Sequence, residues 1–277
     1  MNFPPFWSRG VHGAAQCWRW SHRSLDEARA LAAEAARQLA ERFDEEGFAA
    51  ARYGYGDRPL REPVLREFKD QAGATSAVIT RNAQGCLVLN TARLLFVDVD
   101  APAAEARGGL LKRLFGGAKA SPAHPAEAEV LARAETWIQS RPDWGWRVYR
   151  TRAGWRLAAT HALFEPGDAA STGAFAALEA DPLYRQLCER QQCFRARLTP
   201  KPWRCGLHER PARWPWPDAP TEARFKDWEQ RYLQACEGHA TCDFIATLGQ
   251  PKPHPEVQPL LAVHDAATSA ESRLPLA

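Results

Sequence analysis

The chain of 277 residues contains a single Met, carries little excess charge, and has no apolar run of the roughly 18 residues that a membrane-spanning helix needs. Each shortage excludes something. Without such a run no membrane partner is expected, and the start Met1-Asn2-Phe3-Pro4-Pro5-Phe6-Trp7 lacks the basic flank and long apolar stretch of a signal peptide, so a cytoplasmic location is expected. A formal charge of +3 is mild, and any polyanion partner has to be argued from local clusters. The seven cysteines, odd in number and without an export signal, read as reduced thiols rather than a disulfide framework. A Gly-rich phosphate loop, a nucleophile elbow and an H-E-x-x-H helix are also missing, which removes several common enzyme classes.

What is present suits a globular protein: 45% of residues are hydrophobic, enough for a buried core. Eleven Trp are unusual, and several sit beside Arg, as in Trp18-Arg19-Trp20, Trp155-Arg156 and Trp203-Arg204, where stacking or partial burial is expected. The first regular element is read as a helix, because Ser24-Leu25-Asp26-Glu27 has the capping-box arrangement and Leu31, Ala35, Leu39 and Phe43 recur at helical spacing before Gly47. Tyr53 to Pro59 reads as an ordered loop. Ala77-Val78-Ile79-Thr80 and Cys86-Leu87-Val88-Leu89 flank a turn as a hairpin would, and Leu94 to Asp100 makes a further strand.

Residues 102–125, with Gly108-Gly109, Gly116-Gly117, Pro122 and Pro125, are expected to form a mobile insertion. A helix from Pro125 to Ser140 follows, burying Val130, Ala134, Trp137 and Ile138. Strands at Arg147 to Thr151 and Trp155 to His161, helical segments over 172–190, a strand at Phe194 to Leu198, a final helix from Glu222 to Glu237 and an irregular tail from Pro251 complete the reading. The expected fold is α+β: an antiparallel or mixed sheet with helices on one face and the other face free for chemistry. A helical N-terminal segment (1–75), a core (76–205) and a C-terminal helix and tail (206–277) make up the expected organisation.

Alternation along Phe96-Val97-Asp98-Val99-Asp100 puts both carboxylates on one face, about 7 Å apart at Cα. Like charges this close need water, a cation or Arg as compensation, and Mg²⁺ or Mn²⁺ would suit them. Two stretches without acids supply the opposite charge. One runs from Gly145 to His161 and includes Arg150 and Arg156; the other runs from Arg190 to Arg204 and includes Arg195, Arg197 and Lys201. The planar fork of Arg binds two phosphate oxygens at once. Internal pairing of these Arg with Asp98 or Asp100 is the competing expectation. Cys188, Cys193, Cys205 and His208 have only a loose zinc-type spacing, and zinc is not expected; His264 with Asp265 is an additional candidate for metal or base.

The apolar strand ending Asp98-Val99-Asp100, the hairpin Tyr149-Arg150-Thr151-Arg152-Ala153-Gly154-Trp155-Arg156 and the basic strand Phe194 to Lys201 together resemble the catalytic core of the archaeo-eukaryotic primase superfamily. The match covers about 110 residues of the 277. That resemblance implies an RRM-like sheet, a divalent metal on Asp98 and Asp100, and nucleotide phosphate near the hairpin. Arg156 stands where the superfamily has a His, and a third acid does not stand out. The stretches Pro4-Pro5-Phe6-Trp7, Tyr53 to Glu62 and Arg195 to Cys205 are also similar to a family of uncharacterised bacterial proteins, which brings no activity with it. Three functions stay open: a metal-dependent nucleotide or nucleic-acid enzyme, a catalytically silent nucleotide or RNA binder, and an interaction protein whose Asp and Arg neutralise each other.

Overall fold

The computed structural model describes residues 1–46, 58–101 and 125–277. The stop at Gly47, most of the Tyr53 to Pro59 loop and the insertion over 102–124 lie outside the described residues. The first element is not a helix. Strands β1 (Phe6–His12) and β2 (Ala15–Ser21) form an antiparallel hairpin ahead of α1 (Leu25–Glu46). The signal was the two-residue link Gly13-Ala14, where glycine takes the positive φ (56°) that a tight hairpin needs.

In α1, the Ser24 hydroxyl accepts the Glu27 N–H at 3.1 Å, as a cap should. The Glu27 carboxylate, however, reaches Arg23 and Ser21 instead of closing the capping box. The buried stripe is Ala28, Ala32, Ala35, Ala36 and Leu39, which includes the expected Ala35 and Leu39, while the expected Leu31 is 46% exposed. Small residues win because the hairpin lies so close: a Cβ at Gly10 would fall 1.8 Å from the Ala32 carbonyl oxygen.

The remaining strands form two four-stranded antiparallel sheets. One has the order β3 (Val64–Lys69), β4 (Thr75–Arg81), β5 (Leu87–Thr91), β9 (Phe194–Arg197); the other has β10 (Cys242–Gly249), β7 (Gly145–Thr151), β8 (Gly154–Ala159), β6 (Phe96–Asp100). Both expected hairpins are present. The single sheet expected over 94–198 is not, because β9 hydrogen-bonds to β5 and leaves β6 to pair with β8. Nor is the tail irregular: residues 257–268 form a helix that buries Val257, Leu260, Leu261, His264 and Thr268, while β10, ahead of the tail, takes the sheet edge beside β7.

Helices α2 (Pro125–Ser140), α3 (Ala169–Ala177), α4 (Pro182–Gln191), α5 (Ala219–Cys236) and α6 (Val257–Thr268) complete an α+β fold of six helices and three sheets among the described residues. The β6/β8/β7 sheet is covered on both faces. Glu127 of α2 meets Arg150 and Trp155 on one, and His264 of α6 meets Phe96 and Tyr149 on the other. One apolar core runs from Ala77 to Ala270 through both sheets, so C-terminal segments are part of the same packed body. No helix among the described residues is long and apolar enough to cross a membrane.

Candidate anion and metal cleft

The two sheets meet at a cleft of about 280 Å³ lined by Asp98, Asp100, Arg156, Arg195, Arg197 and Lys201, with Arg204 and Asn82 beside them. From one sheet, β6 and β8 bring the carboxylates and Arg156. From the other, β9 brings the half-buried Arg195 and Arg197, which alternate with buried Phe194 and Ala196. A 3₁₀ turn over Pro202–Cys205, entered from Lys201, carries Arg204 to the same place. The β7–β8 turn closes tightly on the end of β6, where a Cβ at Gly154 would fall 2.0 Å from the Val99 carbonyl oxygen and only glycine fits.

On the carboxylate side, Asp98 is already neutralised inside the fold. Arg156 donates from Nε to Asp98 Oδ1 at 2.7 Å and from Nη2 to Asp98 Oδ2 at 3.0 Å, with its side chain only 4% exposed. Its Nη1 donates to the Arg197 carbonyl at 3.0 Å and approaches His264 Nε2 at 3.4 Å. His264 Nδ1 lies 3.0 Å from Asp265 Oδ1, which also accepts the Tyr149 hydroxyl at 2.6 Å, while Arg147 reaches Asp265 Oδ2 at 2.8 Å. A proton on Nδ1, with Nε2 as acceptor, satisfies every contact in this chain. Burial works against the charge of Arg156, but Asp98 outweighs it and holds its pKa above the ordinary value. Burial pushes His264 below its ordinary pKa, which keeps it neutral.

Three of the expected ligand-binding residues are therefore placed differently. All three nitrogens of Arg156 point to partners in the interior, so the expected internal pairing is realised at Asp98. His264 is fully buried behind Arg156 with both ring nitrogens engaged, not beside the carboxylates. Arg150 lies on the opposite face of the sheet, held by the buried Glu127 at 2.7 Å.

The opposite wall of the cleft is only partly neutralised. Arg197, Lys201 and Arg204 form no ion pair among the described residues, and Arg195, although forked onto Glu62 at 3.0 and 3.1 Å, keeps its Nη1 buried without a partner. The Nη1 atoms of Arg197 and Arg204 are buried and partnerless as well. Burial, with Arg197 and Arg152 nearby, pulls Arg204 down to about 10, and burial with Arg197 and Arg204 lowers Lys201. Asp100, on the open side, is raised by burial and by the like charges of Asp181 and Asp98.

The zinc-type spacing does not assemble a site: Cys188 and Cys193 are buried, all seven cysteines are free, and no group of three or more His, Cys, Asp or Glu is placed to hold a metal among the described residues. Arg204, part of the acid-free stretch but not singled out within it, sits in a Pro- and Trp-rich turn without strand alternation, and Asp181, whose N–H donates to the Asp98 carbonyl at 3.0 Å, has no signal in the sequence. No protein-family model, curated protein or solved structure matches this chain. The primase-like resemblance therefore rests on its residues alone.

Proposed function

We propose that this cleft binds the phosphates of a nucleotide or nucleic acid and processes them with a divalent cation drawn to Asp98 and Asp100. The observation that carries the reading is the cation wall: Arg195, Arg197 and Arg204 each keep a buried, partnerless Nη1, and with Lys201 they line one cleft. A buried guanidinium donor without an acceptor is costly, and a phosphate supplies several acceptors at once. The carboxylates fit a hard cation shared with the ligand rather than one caged by protein, since Mg²⁺ commonly takes one or two carboxylates and fills its remaining positions with water and phosphate oxygens. Like-charge crowding at Asp100 is what a cation would relieve. When bound, such an ion supplies neutralisation of charge on the phosphoryl group. Arg197, Lys201 and Arg204 hold and orient it.

A second reading, a binder without catalysis on the same cleft, is favoured by one observation: Asp98 already has both oxygens engaged by Arg156. Calorimetry with inorganic triphosphate and a nucleoside triphosphate, each with and without Mn²⁺, separates the two. Binding should weaken about ten-fold or more in Arg204→Ala, and Asp100→Asn should remove the increment due to Mn²⁺ while leaving metal-free binding intact. Binding indifferent to EDTA selects the silent binder, and absence of any triphosphate binding overturns both.

A further inference from the structure

A second cleft, of about 210 Å³, lies on the β3/β4/β5/β9 sheet and is walled by Trp214, Trp216, Phe225 and Leu65 with Arg61 and Arg213. Its aromatic walls are held in place. The Trp216 and Phe225 rings pack at 4.8 Å, Phe225 packs on Trp228 at 5.9 Å, and the Trp216 indole N–H donates to the Ala212 carbonyl at 3.4 Å. The one acid in its wall, Glu229, is taken by Arg81, which also donates to the Gly85 carbonyl at 2.8 Å. Arg61 and Arg213 have no acidic partner among the described residues. The Arg61 guanidinium stacks 3.9 Å from the Trp18 ring, and burial followed by the charge of Arg213 lowers its pKa. Flat, half-buried rings next to uncompensated guanidiniums are the chemistry that receives a base and its phosphate together.

The two clefts adjoin. Asn82, on the β4–β5 turn, lines both of them, and its Oδ1 is fixed by the Gln84 and Cys86 N–H groups at 2.9 and 3.1 Å. We infer that the ligand is a single-stranded nucleic acid running across the Asn82 turn, with a phosphate in the cation cleft and the base of a neighbouring nucleotide on Trp214 and Trp216. The inference rests on the phosphate reading of the cation cleft and sharpens it from any phosphate compound to a strand. A single strand is required because a duplex hides the base faces that the Trp rings would cover.

The test compares three probes on the intact chain: a labelled oligothymidine of about eight nucleotides, within the span that stacking grooves commonly hold, its duplex with oligoadenosine, and thymidine triphosphate alone. Single strand should bind at least ten-fold tighter than duplex. Trp214→Ala combined with Arg213→Ala should weaken the single strand about ten-fold or more, leave the triphosphate unchanged, and be largely rescued by Trp214→Phe with Arg213 intact. Arg213→Glu, at an exposed position, should weaken the strand without disturbing the fold, which guards against a misfolded Trp variant. Arg204→Ala should weaken both ligands. Equal affinity for strand and duplex, or a strand indifferent to Trp214 and Arg213 while the triphosphate still binds, overturns the strand and leaves the cation cleft standing. Failure of the triphosphate with retention of a Trp214-dependent strand overturns the cation cleft instead.

Discussion

Arg156 and Arg204 line the same cleft with the same functional group, yet one is locked into a chain of partners and the other has none. Strand register accounts for the pairing of Arg156, whereas Arg204 sits in the 3₁₀ turn, outside any ladder. Asp98 lies directly opposite Arg156 in the β6–β8 ladder, so that pair neutralises itself wherever the sheet forms. On the other sheet Arg197 lies opposite Val88 and Arg195 opposite Asn90, and β5 offers no acid to either. Counting arginines in a segment does not distinguish structural charge from available charge. An acid within reach does, whether it lies across the ladder, as Asp98 does for Arg156, or on another element, as Glu62 does for Arg195 and Glu127 for Arg150.

The strongest way to break the comparison is to remove the locked member. Arg156→Leu leaves the Asp98 carboxylate unpaired and strips His264 Nε2 of its donor, and loss of one partner from a buried pair costs about 3–5 kcal/mol. Asp98 retains 31% exposure, so water can partly replace the guanidinium and the lower end, about 3 kcal/mol, is expected in urea unfolding. Arg156→Lys should recover little, because one ammonium cannot serve the Asp98 oxygens, the Arg197 carbonyl and His264 together. A loss below about 1 kcal/mol would place Arg156 with the ligand-facing cations after all.

This contrast also marks how much of the site the sequence could reveal. Alternation along Phe96 to Asp100 and along Phe194 to Leu198 is enough to set Asp98 with Asp100, and Arg195 with Arg197, on single faces, because period-two patterning survives whichever strand each element pairs with. Which sheet β9 joins is a long-range choice that no local pattern encodes. The single-sheet expectation fails there, and with it the expected free face. The tail reads as irregular in sequence because Pro251, Pro253, Pro255 and Pro259 mask the helical run Val257, Leu260, Leu261, His264, whose purpose is visible only against the buried faces of Phe96 and Tyr149. The β1–β2 hairpin escaped because Gly13-Ala14 lacks the Asn or Asp that usually flags such turns.

Acid sharpens the comparison from the interior side. His264 is neutral in the fold with its pKa held below 6.5, whereas in the unfolded chain it protonates near that value. Below about pH 6.5 the unfolded state binds the extra proton, so stability falls as pH falls, by up to about 1.4 kcal/mol per pH unit from this group. His161, also lowered by burial, acts in the same direction. The difference between wild type and His264→Gln isolates the contribution: unfolding free energies from pH 7 to 5 should converge because the wild type loses stability faster than the variant, in which His161 still acts. Parallel profiles would mean that the Asp265–His264–Arg156 chain accepts a proton at no cost.

The smallest effect on stability is expected from the cation wall, and that smallness is the informative result. Arg204→Met keeps much of the side chain's apolar stem, removes a buried donor without a partner and relieves repulsion from Arg197 and Arg152, so stability should change by no more than about 0.5 kcal/mol, or rise. Adding inorganic triphosphate at about a hundred times its Kd should then stabilise the wild type by about 2.7 kcal/mol and the variant by far less. A charge that the fold does without, yet through which an anion stabilises the fold, is one retained for the ligand. Were Arg204→Met to destabilise as Arg156→Leu does, both sides of the cleft would be internal scaffolding and the register argument would lose its functional meaning.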